Sequence, residues 1–173
     1  SNVRKEILEK NNINPEVIVS NVDEDEAKIS LLAEGATPLL VSKNLAELKS
    51  IKVSRKNPDR LVLGADSVVS LNNQLINKPK TREEALTILK KLNNSKHYLI
   101  SSVCISKNGS MIWNYTDKAT LTMKNFANKD LKDYLLKISD EVLFAYNVYQ
   151  IEGEGRTLFS KIEGDENTIM GLP

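Results

Sequence analysis

Leu61-Val62-Leu63-Gly64-Ala65-Asp66-Ser67 is the most informative stretch of the chain. Its aliphatic run follows the turn signal Asn57-Pro58-Asp59 and predicts a short strand buried on both faces. Gly64 closes that strand. Asp66 then stands just beyond its end, at the mouth of a sheet, where ligand clefts form in α/β proteins. A carboxylate there can hold a divalent metal or accept a proton from water. A strand-end Asp can also do no more than cap a turn.

On either side of this strand, helical and extended signals alternate. Residues 3–10 predict a short helix with Val3, Ile7 and Leu8 on one face. Val17 to Val19 predicts a short strand, and the acidic stretch 21–28 a loop. Residues 38–52 predict a helix carrying Leu45, Leu48 and Ile51, with Pro38 suited to its first turn. Thr81-Arg82-Glu83-Glu84 matches a capping box before a helix carrying Ala85, Ile88, Leu89 and Leu92. His97 to Lys107 is extended, and Asn108-Gly109 turns it into a hairpin. The return strand runs through Ile112, Trp113 and Tyr115 to Ala119, Leu121 and Met123. A helix near 128–138 aligns Leu131, Tyr134, Leu135 and Ile138. Two short strands, 148–152 and 156–162, are divided by Gly153-Glu154-Gly155. Interleaved elements imply an α/β fold, and the antiparallel hairpin excludes a purely parallel sheet. The expected architecture is a mixed β-sheet with flanking helices.

A length of 173 residues fits a single domain, or two lobes sharing one core. The net charge of +1, from 24 basic and 23 acidic residues, argues against duplex nucleic acid or an anionic membrane as the main partner. Scarce aromatics, at 5%, leave no stacking platform for RNA. Cys104 is the sole cysteine, so a reducing, cytoplasmic setting is expected. No apolar run approaches the roughly 20 residues that span a bilayer. His97 is the sole histidine and is expected to be structural; it excludes a His-built metal site or a Ser-His-Asp triad. There is no phosphate-cradling Walker loop and no dinucleotide fingerprint.

Beyond Asp66, three features could carry chemistry. In Asn77-Lys78-Pro79, Pro79 biases Lys78 towards an extended conformation, in which the ammonium can meet a phosphate. In Gln150-Ile151-Glu152-Gly153-Glu154-Gly155, the glycines allow backbone N–H groups to face a ligand, though an ordinary hairpin has the same composition. Asp23-Glu24-Asp25-Glu26 offers oxygen ligands for Mg²⁺, or a solvated acidic loop.

Eight motifs occur in order: Ser1-x-x-Arg4, Asp23-Glu24, Leu45-Ala46-x-x-Lys49, Gly64-Ala65-Asp66-Ser67, Lys78-Pro79, Glu152-Gly153, Ile162-Glu163-Gly164-Asp165 and Gly171-Leu172-Pro173. Over the whole chain this series resembles the Maf family of nucleoside triphosphate pyrophosphatases, once named for inhibition of septum formation. Leu121-Thr122-Met123 and Tyr149-Gln150-Ile151-Glu152-Gly153 are most similar to its alphaproteobacterial branch. The resemblance implies an elongated fold like that of inosine triphosphate pyrophosphatases, with a cleft between two lobes, a homodimer, and Mg²⁺ or Mn²⁺. It implies hydrolysis of a nucleoside triphosphate to the monophosphate and pyrophosphate, clearing non-standard or excess nucleotides. It places Asp66 as proton acceptor, Glu24 with Asp66 at the metal, and Ser1, Arg4, Lys49 and Lys78 on the substrate. It places Val3, Ser67 and Glu152 where substrate choice is set. The competing reading is a nucleotide-binding module without catalysis that acts in division control.

The chain departs from the family's pattern at several points. Ser1-Asn2-Val3-Arg4 replaces the usual Ser-Pro-Arg-Arg and lacks one cation. The strand expected before Ser1 and the helix expected after Pro173 are not in the sequence, as in a trimmed or reduced chain. Asn147 stands where Gly is usual and is expected to distort the loop before Glu152. Glu152 replaces the Gln of the branch that prefers dTTP and UTP, and its carboxylate suits the N1–H and amino group of a guanine.

Overall fold

The computed structural model describes residues 1–173. Five strands form one sheet in the order β2-β1-β3-β4-β5: β1 (Val62–Leu71), β2 (Gln74–Ile76), β3 (Lys96–Lys107), β4 (Ser110–Met123) and β5 (Phe159–Glu163). All four neighbouring pairs are antiparallel. The α/β class stands, with helices on both faces of the sheet. No helix is long and apolar enough to cross a membrane.

One helix, α3 (Pro38–Lys56), covers the first face. Its Val41 and Leu45 pack on Val68 of β1 and Ile100 of β3. Pro38 sits in its first turn, as expected. The buried stripe is set by small residues as much as by large ones: Ser42, Ala46, Ser50 and Ser54 all face the sheet. Leu48 is exposed. The buried hydroxyls find partners across the interface, Ser42 with Ser102 at 3.0 Å and Ser50 with Ser106 at 2.8 Å.

This close packing explains Gly64. A Cβ there would lie 2.5 Å from the Ala46 carbonyl oxygen and 2.8 Å from the Ser50 nitrogen, so only glycine lets α3 rest on β1. Gly64 therefore does not end the strand, which runs on to Leu71. Leu61 and Leu63 are exposed rather than buried on both faces. The apolar cluster on Leu63's side of the sheet, formed by Ile7, Ala65, Val103 and Leu172, reaches only as far as Ala65.

The second face carries the main core. Leu99, Ala119, Leu121 and Met123 of the sheet pack on Ala85, Leu89 and Leu92 of α4 (Arg82–Leu92) and on Leu131 and Leu135 of α5 (Asn128–Leu136). Thr81 caps α4 by accepting from the Glu84 N–H at 3.1 Å. The Glu84 carboxylate in turn accepts from the Lys80 N–H at 2.7 Å, one residue before the expected partner. Cys104 is buried in the sheet. His97 is buried too, its Nε2 2.8 Å from the Tyr149 hydroxyl.

Three further expectations are corrected. Val17 to Val19 is not a strand; no neighbouring strand offers it a ladder, and Val17 and Val19 are exposed. The acidic run is not a loop but the start of a helix, α2 (Glu24–Ala33). The Asp23 carboxylate accepts from the Glu26 N–H at 3.0 Å, and three acidic residues in the first turn complement the helix dipole. Residues 148–152, with Val148, Tyr149 and Ile151 buried, lead through a turn into a 3₁₀ helix at Glu154–Leu158. A Cβ on Gly155 would come within 2.6 Å of the Gln150 backbone, so the chain doubles back here instead of extending. The last strand starts at Phe159 for that reason. Two short helices had no predicted counterpart: α6 (Asp140–Tyr146), capped by Ser139, and α7 (Glu166–Met170), capped by Asp165.

Candidate active site

Where β2 leaves most of β1 uncovered, a cleft of about 420 Å³ opens, a size typical of ligand sites. Ser1, Val3, Arg4, Glu24, Lys49, Asp66, Ser67, Lys78 and Glu152 all line it, so the structure brings every residue of the predicted site together. They come from six parts of the chain. The first helix, α1 (Asn2–Lys10), presents its N-terminal turn, and α2 and α3 contribute Glu24 and Lys49. The centre of β1 supplies Asp66 and Ser67, and the turn after β2 supplies Lys78. The turn after α6 supplies Glu152.

Asp66 is in mid-strand, opposite Ser102, and not beyond a strand end. Successive residues of a strand point to opposite faces, so Asp66 turns towards α3 while Ser67 turns towards α1. Lys49 reaches down from α3 and donates to Asp66 Oδ1 and to the Ala65 carbonyl, each at 3.1 Å. It also pairs with Glu24. Three acceptors thus use its three donors, and Lys49 bridges the two carboxylates instead of standing free for a phosphate. Asp66 Oδ2 is buried and has no partner. Burial pushes the Asp66 carboxyl above its ordinary value, against the pull of Lys49. Burial also raises Glu24, but the hydrogen bond and charge of Lys49 outweigh it and hold that carboxyl low.

The remaining cations have no acidic partner. Arg4 donates through Nε to the Gly171 carbonyl at 2.8 Å and through Nη2 to Ser67 Oγ at 3.3 Å, and its Nη1 is unused. Lys78 and Lys28 line the cleft without an ion pair. Burial lowers both Arg4 and Lys78 from their ordinary values, while Glu24 and Asp66 pull the other way. Lys28 was not among the expected residues. Its signal in the sequence was the four-residue spacing from Glu24, which puts both on one face of α2. It adds a cation to a cleft that Val3 also lines. Gly171 was quoted only as part of a motif; its left-handed φ of 110° ends α7 and turns its carbonyl to Arg4.

At the far end of the cleft, Asn147 adopts φ 69° and ψ −161°, a backbone region that is essentially glycine's, and its Oδ1 accepts from the Val148 N–H at 2.8 Å. With Asn147 in this conformation, Glu152 lines the cleft. Its carboxylate accepts from Gln150 Nε2 at 2.7 Å.

A sequence model of the family described as Maf-like protein matches residues 1–173. The chain belongs to the Maf family. Among relatives of this Maf chain, the nucleoside triphosphate pyrophosphatase of Pelagibacter ubique is 66% identical over 173 residues, which span 100% of this chain and 89% of the relative. That of Paramagnetospirillum magneticum is 39% identical with the same coverage. A 7-methyl-GTP pyrophosphatase of Brucella abortus is 35% identical over 170 residues, 98% of this chain and 85% of the relative.

Proposed function

We propose that the cleft hydrolyses a nucleoside triphosphate to the monophosphate and pyrophosphate. One observation carries this reading: Asp66, whose buried Oδ2 has no partner, lines a cleft whose cations Arg4, Lys78 and Lys28 lack acidic partners. Such a cleft holds positive charge that a polyphosphate would neutralise, beside a carboxylate with one oxygen free to take a proton from water. Arg4 and Lys78 hold the phosphates, with Ser1 at the α1 N-terminus beside them. Lys49 opposes the upward push of burial on the Asp66 carboxyl and orients it. Asp66 Oδ2 receives the proton as water attacks the α-phosphorus, and pyrophosphate leaves. The names of relatives at 66% and 39% identity support the same reaction.

The residues fit a divalent metal. Asp66 offers a buried oxygen without a partner, and Glu24 shares a single ammonium with it, leaving two carboxylates one positive charge short of neutral. Hard oxygen donors of this kind select Mg²⁺ or Mn²⁺. When bound, the ion supplies neutralisation of the phosphate oxygens. Val3, Ser67 and Glu152 surround the nucleoside end, and the carboxylate of Glu152 favours base edges rich in N–H donors, such as a modified guanine. The 7-methyl-GTP pyrophosphatase among the relatives points the same way. In this reading the 173 residues act as one domain, within a cytoplasmic homodimer, in nucleotide-pool cleaning. Turnover in water labelled with heavy oxygen tests the reaction: label is expected in the monophosphate, and label in pyrophosphate overturns attack at the α-phosphorus. Sedimentation of the purified protein tests the dimer.

A further inference from the structure

Ser67 belongs to a closed ring of hydrogen bonds whose other members are Arg4, Gly171, Thr168 and Ser101. Arg4 Nε donates to the Gly171 carbonyl at 2.8 Å. The Gly171 N–H donates to the Thr168 carbonyl at 3.1 Å. Ser101 Oγ lies 2.6 Å from that same carbonyl. Ser67 Oγ lies 2.7 Å from Ser101 Oγ, and Arg4 Nη2 closes the ring on Ser67 at 3.3 Å. Ser101 and Thr168 are fully buried, and neither lines the cleft.

Each hydroxyl proton in this ring has one possible place. A carbonyl only accepts, so the single proton of Ser101 must go to Thr168. Ser101 can then meet Ser67 only as an acceptor, and the Ser67 proton must point at Ser101. Arg4 only donates, so it takes one of the two lone pairs of Ser67. A single lone pair is all that Ser67 has left for a ligand in the cleft it lines. The Thr168 carbonyl is saturated by two donors, and the Thr168 hydroxyl is tied to Asp117 at 2.6 Å, which holds the far side of the ring in place.

We infer that Ser101 is a positioning residue for substrate choice: it fixes Ser67 as an acceptor only, so the cleft selects nucleotides that present an N–H or O–H donor to Ser67. This rests on the reading of the cleft as a nucleoside triphosphate site and sharpens its substrate class. With Glu152 also an acceptor, both polar groups at the nucleoside end then ask for donors. A site built to receive a donor penalises a ligand that lacks it, because a buried acceptor is left unpaired.

The test is binding, measured by calorimetry with α,β-methylene triphosphates that resist cleavage. The set is guanosine, inosine, N1-methylguanosine, and the 2′- and 3′-deoxy forms of guanosine, each lacking one donor of the parent nucleoside. At least one deletion is expected to weaken binding to the parent protein by about fivefold or more. Ser101→Ala frees the Ser67 hydroxyl to rotate and donate, and should cut that penalty to less than about twofold. Ser101→Thr keeps a hydroxyl and should restore it. Ser67→Ala should erase the same penalty and no other, and provides the answer if Ser101→Ala does not fold. Three results overturn the inference: no penalty in the parent, a penalty that survives Ser101→Ala or Ser67→Ala, or an equal loss for every ligand in Ser101→Ala. Pyrophosphate release from ordinary triphosphates is assayed separately. Selective binding without release would overturn hydrolysis while leaving the role of Ser101 standing.

Discussion

The Asp66 side chain has two oxygens in different situations. Oδ1 accepts from Lys49 at 3.1 Å, and Oδ2 is buried with nothing to pair with. Replacing Asp66 with Asn keeps the shape and removes the base. The expected outcome is a fall in kcat of roughly 10²–10⁴-fold with nucleotide affinity nearly unchanged, measured by pyrophosphate release and by calorimetry. Turnover at the parent rate would show that Asp66 is not the base. Arg4 acts differently, since in the proposed function its unused Nη1 meets substrate before and during reaction. Arg4→Met should raise KM for triphosphates by about tenfold or more, and affect binding of the monophosphate much less. These two residues were legible because their types occur in an ordered series of motifs. The partners of Lys49 were not, because Glu24, Ala65 and Asp66 meet it only after α2, α3 and β1 have packed.

At the level of elements, the site depends on the fit of α3 against β1. Gly64 sets how closely they approach, and Lys49 descends from α3 to Asp66 only at that distance. Gly64→Ala places a methyl group 2.5 Å from the Ala46 carbonyl oxygen. The expected cost is about 1–3 kcal/mol or more, read as a lower midpoint in urea, together with loss of activity as Lys49 draws away from Asp66. A variant with parent stability and parent activity would show that the two elements have slack. Helix α4, with Thr81 as its cap, was legible from a few neighbouring residues. The strand at Val17 to Val19 was misread because a strand needs a partner that local sequence does not show. β1 was cut short because Gly64 has the composition of a strand end and the function of a close contact.

For the molecule as a whole, His97 links stability to pH. It is buried between the sheet and the Tyr149 and Phe159 rings, with Nδ1 unpartnered, and burial lowers it from 6.5 to about 4. The unfolded chain therefore takes up this proton first as pH falls. The contribution of His97 is complete above pH 6.5 and is lost progressively towards pH 4, by up to about 3 kcal/mol. Urea unfolding of the parent between pH 7 and pH 4 should show this loss. In His97→Phe the same pH range should give a flatter line, and an unchanged slope would assign the acid sensitivity elsewhere. Metal removal also acts on the whole cleft. Chelation is expected to stop pyrophosphate release, with Mg²⁺ or Mn²⁺ restoring it, and metal plus nucleotide should raise the melting temperature through binding to the folded state alone. Full activity in excess chelator would remove the metal from the reaction.

By itself the sequence determined the α/β class, the capped helix α4, the central hairpin and the residue types that gather at the cleft. Each of these is a local matter of periodicity, turn chemistry or motif order. The tertiary structure alone decided that Asp66 sits in mid-strand with one oxygen orphaned, that Lys49 bridges two carboxylates, and that Ser67 faces the cleft as an acceptor. Those facts depend on hydrogen bonds between residues 17 apart, as for Lys49 and Asp66, or 167 apart, as for Arg4 and Gly171. Proton direction and burial are set by which groups meet in space, and chain neighbours do not encode that.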